Sequence, residues 1–462
     1  MRNLVHLGIL IVAMEVFACG GTKAGGMSEV PANNGGDAEK ELPPSPTPPV
    51  KGAFDTGMYP NMFVALGVSE AAVTQKVEAA YRQFFHGNPE TESVMYAAAS
   101  NAHGASAYIK DIGSGDVRSE GMSYGMMMAV QMDKKADFDA LWNWARTYMY
   151  HSDANHPDYG YFAWQLKDDG TVMDDNPAPD GEEYFVMALL FAANRWGNGK
   201  GIYDYTRAAH DILTAMVHRE DKTGDVIQTN GETGSQFTIN ATITSLMSPE
   251  SHMVRFTPNR LNFATNSDHT DPSYHLPAFY ELFALWGPEA DRAYWQKAAQ
   301  VSRDYLVTVT HFETGLSPDY AGFDGKPVAA SWNANSAHFG HDAHRTAMNW
   351  SVDCAWWAAD VSRQEILSNR LLAFFEKEGV YAHFACYKLD GSAPLVEYRS
   401  IGLTAMNATT AMCTSHRASW EFIEMLWNTP LPTGKWRYYD GMLYMFGLLN
   451  LSGNYRIYKP AA

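Results

Sequence analysis

The sequence predicts an all-α protein folded as a helical barrel. Apolar residues recur at the helical period along most of the chain, and the connecting loops are rich in Gly, Asp, Asn and Pro. Strands do not alternate regularly with these helices, which argues against a parallel-sheet fold. Polar residues recur at loop–helix junctions, and one end of a barrel would bring such junctions together. A helical bundle or a toroid would show the same helical pattern. The recurrence of polar residues at the junctions is what favours the barrel.

The individual helices are predicted from amphipathic or apolar segments. Residues 69–85 are amphipathic, and residues 138–149 carry apolar side chains on one helical face. Between them, Glu120 opens an apolar run that is typical of a buried helix. Two β-branched stretches, Thr238–Thr244 and Val380–Lys388, predict short strands. Further helices are predicted at about 182–196, 204–219, 274–286, 291–308, 344–360, 364–377, 418–427 and 438–450.

The first 19 residues are predicted to be an export signal. A basic start precedes a short apolar run from Leu4 to Phe17, which is too short to span a bilayer. The run ends in Val-Phe-Ala-Cys at 16–19, which resembles a bacterial lipobox, and plain secretion is the alternative. We therefore expect an exported lipoprotein, periplasmic or on the cell surface, whose only membrane contact is a lipid on Cys19.

The rest of the chain divides into a spacer and one folded domain. Residues 20–51 are rich first in Gly and then in Pro, which predicts a flexible and then stiffer tether. Residues 52–462 form the predicted domain, and we expect it to be a monomer.

Composition argues against a nucleic-acid partner and is compatible with a sugar ligand. The net charge is −18, and Lys and Arg form no long run, so we predict no binding to nucleic acid. Aromatic residues make up 13% of the chain, and flat amphipathic rings of this kind stack on sugars. Besides Cys19 there are three cysteines. Cys354 is predicted to be a small buried apolar residue, and a Cys386–Cys413 disulfide is an alternative that the spacing leaves open.

Three acids lie at junctions next to apolar helices: Glu120, Asp180 and Asp342. Each has a structural alternative, because Glu120 and Asp180 can stabilise a helix N-terminus and Asp342 can pair with Arg345 three residues later. A carboxyl group against apolar surface has a raised pKa, which keeps a proton available for general acid catalysis. The recurrence of the same context favours a functional interpretation.

Paired carboxyl groups at the open end of a fold suit glycoside hydrolysis, in which one group donates a proton and the other activates water. The aromatic residues that we predict to bind the sugar are Tyr124, Trp142, Trp164 and Trp332, with core packing as the alternative for each.

Other chemistries find less support in the sequence. The phosphate-binding loop and the serine nucleophile elbow are both missing. His338, His341 and His344 are spaced by three, but no Cys or further His cluster completes a metal site. We predict no metal and no cofactor.

Four motifs resemble, in order, those of glycoside hydrolase family 8. They are Ser-Glu-Gly-Met-Ser-Tyr-Gly-Met-Met at 119–127, Ala-Pro-Asp-Gly-Glu-Glu-Tyr-Phe at 178–185, Asp-Pro-Ser-Tyr at 271–274 and Asp-Ala-His-Arg at 342–345. The likeness extends from about Ala53 to Tyr458 and is nearest to the reducing-end xylose-releasing exo-oligoxylanases of that family.

The resemblance implies an (α/α)6 barrel and an inverting mechanism on β-1,4-xylo-oligosaccharides. By position, Glu120 matches the general acid and Asp342 the general base. Asp180 matches the acid that holds the distorted sugar, and Tyr274 matches the tyrosine that positions the water. Arg345 matches the arginine that follows the base.

One departure from the family pattern concerns the end of the cleft. Exo-acting members close it with a short His-containing loop, and no His occurs at the matching place, residues 395–400. Residues 234–268 also look longer than in those members. An endo-β-1,4-xylanase on the same scaffold is therefore the alternative, followed by an endo-glucanase or chitosanase. A non-catalytic xylan-binding lipoprotein is the alternative of a different class, and the presence of all the site acids argues against it.

Overall fold

The computed structural model describes residues 42–229, 235–261, 264–265, 269–330 and 332–461. The predicted export signal and Cys19 lie outside these residues. The described chain contains fourteen α-helices, which are α1 Ala53–Thr56, α2 Met62–Ala65, α3 Glu70–His86, α4 Ser119–Gln131, α5 Lys135–Trp144, α6 Pro179–Trp196, α7 Tyr205–His218, α8 Pro277–Trp286, α9 Arg292–Val309, α10 Thr346–Trp357, α11 Val361–Glu378, α12 Ile401–Thr409, α13 Ser419–Asn428 and α14 Arg437–Leu451.

Twelve of these helices form two concentric rings. Helices α4, α6, α8, α10, α12 and α14 each contact the next, and α14 returns to α4, so the inner ring is closed. Helices α5, α7, α9, α11 and α13 each pack on the inner helix before them, and α3 packs on α14. The (α/α)6 barrel is thereby confirmed.

The two rings differ in sequence pattern for a physical reason. An outer helix needs one apolar face, and in α7 the residues Ala209, Ile212, Leu213 and Met216 supply it. An inner helix is covered on all sides, and in α4 every residue except Glu120 is buried. Helix α12, which was not predicted, is of the inner kind, and without a polar face it has no amphipathic period to detect.

Short strands lie in the segments that connect the helices. They are β1 Met95–Asn101, β2 Gly104–Ile109, β3 Val117–Arg118, β4 Gln165–Leu166, β5 Val172–Asp174, β6 Lys222–Thr229, β7 Gln236–Ile243, β8 Asn259–Leu261, β9 Ala264–Thr265, β10 His269–Thr270 and β11 Ala321–Gly322. The antiparallel sheet β6–β9 contains the predicted strand at 238–244. The strand predicted at 380–388 is wrong. Its backbone groups bond to separate loops, Tyr387 to Phe339 and Ala385 to Tyr398, so no ladder forms.

The cysteine pairing also differs from the prediction. Cys354 of α10 forms a disulfide with Cys413, and their Cα atoms are 6.0 Å apart. Cys386 is buried elsewhere and takes no part in that bond. Cys354 is therefore a cross-link between neighbouring inner elements and not only a packing residue, and the Cys386–Cys413 alternative is wrong. Spacing along the chain carries no information about this proximity.

The last part of the predicted tether lies against the barrel. Pro46 is buried, and the Trp420 indole donates a hydrogen bond to the Pro44 carbonyl oxygen at 2.9 Å. Among the described residues we find no helix whose length and apolar character would let it span a lipid bilayer.

Candidate active site

An open cavity, with about 530 Å³ of empty space that includes open solvent, lies where the first turns of several inner helices meet. Its wall combines charged groups with apolar and aromatic surface. The lining residues are Arg118, Ser119, Glu120, Trp164, Pro177, Ala178, Asp180, Phe256, Thr257, Tyr274, Asp342 and Arg345. The three predicted acids, Tyr274 and Arg345 are thus brought together from four separate segments of the chain.

Arg345 is the centre of this cluster. Its Nη1 donates to Glu120 Oε2 at 3.0 Å and to Asp180 Oδ2 at 2.6 Å. Its Nη2 donates to Asp342 Oδ1 at 3.0 Å. One planar guanidinium with several donors can hold three carboxyl groups in fixed relative positions. The predicted pairing of Asp342 with Arg345 is therefore present, but as one part of a larger network.

Glu120 does not cap its helix. Helix α4 has no side-chain cap hydrogen bond, and both carboxyl oxygens of Glu120 are engaged across the barrel. Tyr438 of α14 donates its hydroxyl hydrogen to Glu120 Oε1 at 2.8 Å, opposite the bond from Arg345. Gly121 makes this approach possible, because a Cβ there would lie 2.7 Å from the Tyr438 ring.

The surroundings of Glu120 suit a proton donor. Burial raises the pKa of Glu120 to about 7, because desolvation outweighs the attraction of Arg345. The side chain remains 16% exposed, so a ligand in the cavity can reach it. The methionines that follow, Met126, Met127 and Met128, are fully buried in the core, as predicted.

Asp180 lies beside Glu120 because two inner helices approach closely. A Cβ on Gly181 would be 2.7 Å from the Ser119 side chain, so only glycine lets the first turns of α6 and α4 meet in this way. Asp180 accepts a hydrogen bond from the Gly181 N–H at 2.9 Å. Burial raises the pKa of Asp180, against the opposing charge of Arg345.

Asp342 occupies the other side of the guanidinium. It begins a 3-10 helix, Asp342–Arg345, which leads directly into α10, and its side chain is 17% exposed. A second acid, Asp271, lies behind it, fully buried, with Oδ2 at 3.6 Å from Arg345 Nη2. Burial and the charge of Asp342 raise the pKa of Asp271 well above its usual range.

Two tyrosines complete the cluster. Tyr274 lines the cavity at the end of the 3-10 helix Pro272–Tyr274, and the guanidinium carbon of Arg345 lies 5.6 Å from its ring centre. Tyr124 is buried, and its hydroxyl oxygen accepts a hydrogen bond from Arg345 Nη1 at 2.9 Å. Tyr124, which the sequence analysis assigned to the substrate, therefore contacts Arg345 and is not among the cavity-lining residues.

The predicted tryptophans have separate locations. Trp164 lines the cavity, and its contact with a sugar stays a prediction. Trp142 does not line it: the ring is fully buried in the core, and its indole donates to the Ile202 carbonyl oxygen at 2.6 Å, which corrects its assignment to substrate binding. Trp332 is not among the cavity-lining residues, but its ring centre lies 6.2 Å from that of Phe256, which does line the cavity.

The three evenly spaced histidines form no common site within the described residues. His341 Nε2 lies 2.7 Å from the Tyr398 hydroxyl, whereas His344 Nε2 lies 2.8 Å from the Ala385 carbonyl oxygen. These two rings thus make separate contacts, with the segment 395–400 in one case and with a neighbouring loop in the other.

Sequence reasoning missed three charged or polar residues of the site: Tyr438, Asp271 and Arg118. Tyr438 lies at the first turn of an apolar inner helix, the same context that marked Glu120, so a search for polar residues of any kind at such junctions would have found it. Asp271 lies within a motif that was quoted for Tyr274. Arg118 lines the cavity and pairs with Asp116 at 3.1 Å.

The arrangement defines a class of protein. A carboxyl group with a raised pKa and a second carboxyl group face one cavity, held by one guanidinium at the mouth of an (α/α)6 barrel, as expected for a glycoside hydrolase that acts by acid–base catalysis. The comparison with known families agrees. The chain belongs to glycosyl hydrolases family 8, whose model matches residues 108–249 and 233–450.

Several relatives match along nearly their whole length. A reducing-end xylose-releasing exo-oligoxylanase of Paenibacillus barcinonensis is 43% identical over 411 residues, covering 88% of this chain and 99% of the relative. Among solved structures, a xylobiose complex from Teredinibacter turnerae is 50% identical with a TM-score of 0.83 and covers 88% of this chain and 100% of that one. A xylohexaose complex of a catalytic mutant of the xylanase from the same organism matches equally well, with 50% identity and a TM-score of 0.83.

Proposed function

We propose that this glycoside hydrolase cleaves β-1,4-xylosidic bonds with inversion of configuration. The observation that carries the proposal is the placement of Glu120 and Asp342 on the two terminal nitrogens of one guanidinium, each at 3.0 Å. Both carboxyl groups also line the same cavity. In inverting enzymes the gap between the two carboxyl groups is roughly 6.5–9.5 Å and holds a water molecule.

In the proposed reaction Glu120 is the general acid. Its carboxyl proton passes to the glycosidic oxygen as the bond between that oxygen and the anomeric carbon breaks. Asp342 is the general base and takes a proton from water, whose oxygen attacks the anomeric carbon from the opposite face. One sugar leaves with a new hydroxyl group, and Glu120 ends ionised while Asp342 ends protonated.

Asp180 and Tyr274 are proposed to position the reactants. Asp180 is held by Arg345 on one oxygen and by the Gly181 N–H on the other, so its carboxyl group is fixed before a sugar arrives. A rigid acceptor of this kind can bind a sugar hydroxyl group more tightly in the distorted ring of the transition state. Tyr274 lines the same cavity, where its hydroxyl could orient the attacking water.

Release of xylose from the reducing end of xylo-oligosaccharides is the first candidate for the product pattern. The exo-acting relative of Paenibacillus barcinonensis supports it, since it is similar over 88% of this chain. Endo-β-1,4-xylanase action is the second candidate. It is supported by the 50% identity to the xylanase of the xylohexaose complex and by the absence of His from segment 395–400.

Xylohexaose carrying ¹⁸O at the reducing end separates the two patterns. Exo action from that end gives labelled xylose and unlabelled xylopentaose as the first products, detected by mass spectrometry. Early labelled xylobiose and xylotriose would instead identify an endo enzyme. No cleavage of any xylo-oligosaccharide would refute the proposed substrate.

Substitution of the two acids tests the proposed chemistry. We expect Glu120→Gln and Asp342→Asn each to lower kcat by about 10²–10⁴-fold, since each removes one proton transfer. Glu70→Gln is the matched control, because Glu70 is also a first-turn glutamate but lies exposed on α3. Near-normal turnover in either acid variant would contradict the assignment.

We also propose that the chain is exported and anchored by a lipid on Cys19. The Cys354–Cys413 disulfide supports an oxidising compartment, where such bonds persist. Labelling with radioactive palmitate in a bacterial host should mark the wild type, while Cys19→Ser should be unlabelled and recovered in the soluble fraction. Palmitate label on the Cys19→Ser chain would contradict this site.

A further inference from the structure

A second cluster of buried polar groups lies outside the catalytic cavity. His151 and His156 are on the loop that follows α5, and Asp175 follows β5. His151 Nε2 is 3.6 Å from Asp175 Oδ1, and His156 Nε2 is 3.6 Å from Asp175 Oδ2. The two imidazole rings stack at 4.2 Å, and one ligand atom from each of the three residues lies within 4.8 Å of the others. No step of the proposed hydrolysis uses these groups.

An unsatisfied carboxyl group adjoins this cluster. Asp158 is fully buried, and neither of its carboxyl oxygens has a hydrogen-bond partner among the described residues. Its Oδ2 lies 3.9 Å from His156 Nδ1. Asp174, on the strand that leads to Asp175, is buried as well. Asp174 accepts hydrogen bonds from the backbone and side chain of Asn176, and the positive charge of Arg219 acts on Asp158. Burying a carboxyl group without a hydrogen bond is costly, so Asp158 is the unsatisfied acid of this cluster.

We propose that His151, His156 and Asp175 bind a divalent transition-metal ion, for which zinc is the best fit. Two imidazole nitrogens and a carboxylate, with a water molecule as fourth ligand, form a common tetrahedral zinc set. Metal–ligand bonds of about 2.0–2.1 Å place neighbouring ligand atoms about 3.3 Å apart. The two 3.6 Å separations run to different oxygens of Asp175, and one ligand atom from each residue lies within 4.8 Å of the others. The three ligands therefore need to draw together by up to about 1.5 Å while the rings splay from their stack.

The buried Asp158 has a role in this arrangement. Without metal, His156 Nδ1 accepts a hydrogen bond from the Asp158 N–H at 3.1 Å, so the ring proton is on Nε2. A metal on Nε2 requires the ring proton to be on Nδ1, which then donates to the nearby Asp158 carboxylate after a small rotation of the ring. Carboxylates commonly orient metal-binding histidines in this way. The same change gives the Asp158 carboxylate its missing hydrogen bond and takes away the Nδ1 acceptor of the Asp158 N–H.

The metal would join two segments that form the cleft wall. The loop that carries both histidines continues to Trp164, and Asp175 is two residues before Pro177. Trp164 and Pro177 both line the catalytic cavity. In the same region the Trp164 N–H donates to the Asn176 carbonyl oxygen at 2.9 Å. The ion would stabilise this wall, and no step of the proposed hydrolysis uses it.

Zinc binding to the purified full chain tests the proposal. After EDTA treatment and desalting, isothermal titration with ZnCl₂ should give about one ion per chain, and zinc should raise the Tm by at least about 3 °C. His151→Gln/His156→Gln should lose both effects, as should Asp175→Asn, which keeps an oxygen to accept the bond from the Ile227 N–H. Circular dichroism establishes that each variant is folded.

His86→Gln is the matched control, because His86 Nε2 also lies close to an aspartate, Asp137, at 2.9 Å, but at the surface. It should bind zinc as the wild type does. Equal binding by the wild type and the double histidine variant would overturn the proposal. So would a site that takes Ca²⁺ and rejects Zn²⁺, because imidazole ligands do not favour calcium.

Discussion

The two ends of the inner helices differ sharply in chemistry. The first turns carry Glu120 in α4, Asp180 in α6 and Tyr438 in α14, and all three belong to one hydrogen-bonded network around Arg345. The turns that follow in the same helices are largely apolar and buried, as in Met126–Val130 of α4. Close packing of the later turns fixes the helices, and the helices fix the acids. Charge is thus concentrated where a substrate can enter, and rigidity is supplied from the other end.

Substitution of Arg345 should have the largest effect, because it removes the centre of the charged network. Arg345→Met leaves several buried carboxyl groups without their shared cation, so we expect a loss of about 3–5 kcal/mol in the free energy of unfolding. We also expect kcat to fall about a thousandfold or more, because the acids lose their relative positions. Chemical denaturation and initial rates on xylohexaose measure the two effects.

Arg303→Met is the matched control for that variant. Arg303 is also buried and also joins two acids, Asp353 and Glu281, each at 2.7 Å, but away from the cavity. Its loss should cost similar stability and leave the kcat of the folded fraction within about threefold of the wild type. If the Arg303 variant lost activity as completely as the Arg345 variant, the distinction between the charged end and the supporting interior would fail.

Substitution of Trp164 in the cavity wall and of Trp142 in the core should have opposite effects on activity and stability. Trp164→Leu removes a ring from the cavity wall, and we expect about a tenfold lower kcat/KM with less than about 1 kcal/mol lost in stability. Trp142→Leu removes a fully buried ring and its hydrogen bond, so it should cost about 2–4 kcal/mol in stability and change kcat/KM less than twofold. A large catalytic effect from Trp142 would restore it as a substrate-binding residue.

A smaller effect is expected from Tyr438→Phe. The Tyr438 hydroxyl stabilises the ionised form of Glu120, so its removal raises the pKa of Glu120 above about 7. In the proposed reaction activity requires protonated Glu120, so we expect it to be lost as the pH rises through that pKa. The alkaline limb of kcat/KM should therefore move to higher pH by about half a unit to one unit, since a hydrogen bond of about 1 kcal/mol corresponds to that shift.

Tyr444→Phe is the comparison for the pH profile. Tyr444 lies on the same helix and donates its hydroxyl hydrogen to the Thr429 carbonyl oxygen at 2.7 Å. Loss of this hydrogen bond should lower the free energy of unfolding without moving the acidic or the alkaline limb of the kcat/KM profile. An alkaline limb that moved down in the Tyr438 variant would show that the limb does not report Glu120.

The same contrast explains what the sequence could predict. Outer helices such as α7 have an amphipathic period and were predicted within a few residues. The inner helix α12 was missed because it is buried all round. The three acids were found because an acid beside an apolar run is conspicuous in any sequence. Tyr438 was missed as a site residue because a tyrosine in an apolar helix is usually a packing residue. Asp271 was missed because an acid before a proline has many ordinary structural roles.

The sequence predicted that the junction residues share one end of the barrel, but not which of them contact each other. Arg345 and Glu120 are 225 residues apart in the chain, and nothing local indicates that one guanidinium holds three acids. The Cys354–Cys413 bond depends in the same way on the closure of the inner ring. Trp142 was misassigned because an aromatic residue on an apolar helical face has the same pattern in a core as in a binding cleft.

The central claim is that Glu120 and Asp342 act on opposite faces of the scissile bond. Proton NMR of a xylohexaose digest, recorded within the first minutes, tests this most directly, because it identifies the anomer of the new reducing end before mutarotation. The account predicts the α-anomer first, as required for inversion at a β-linkage. A β-anomer as first product would mean retention and would contradict the assignment of Asp342 as the base.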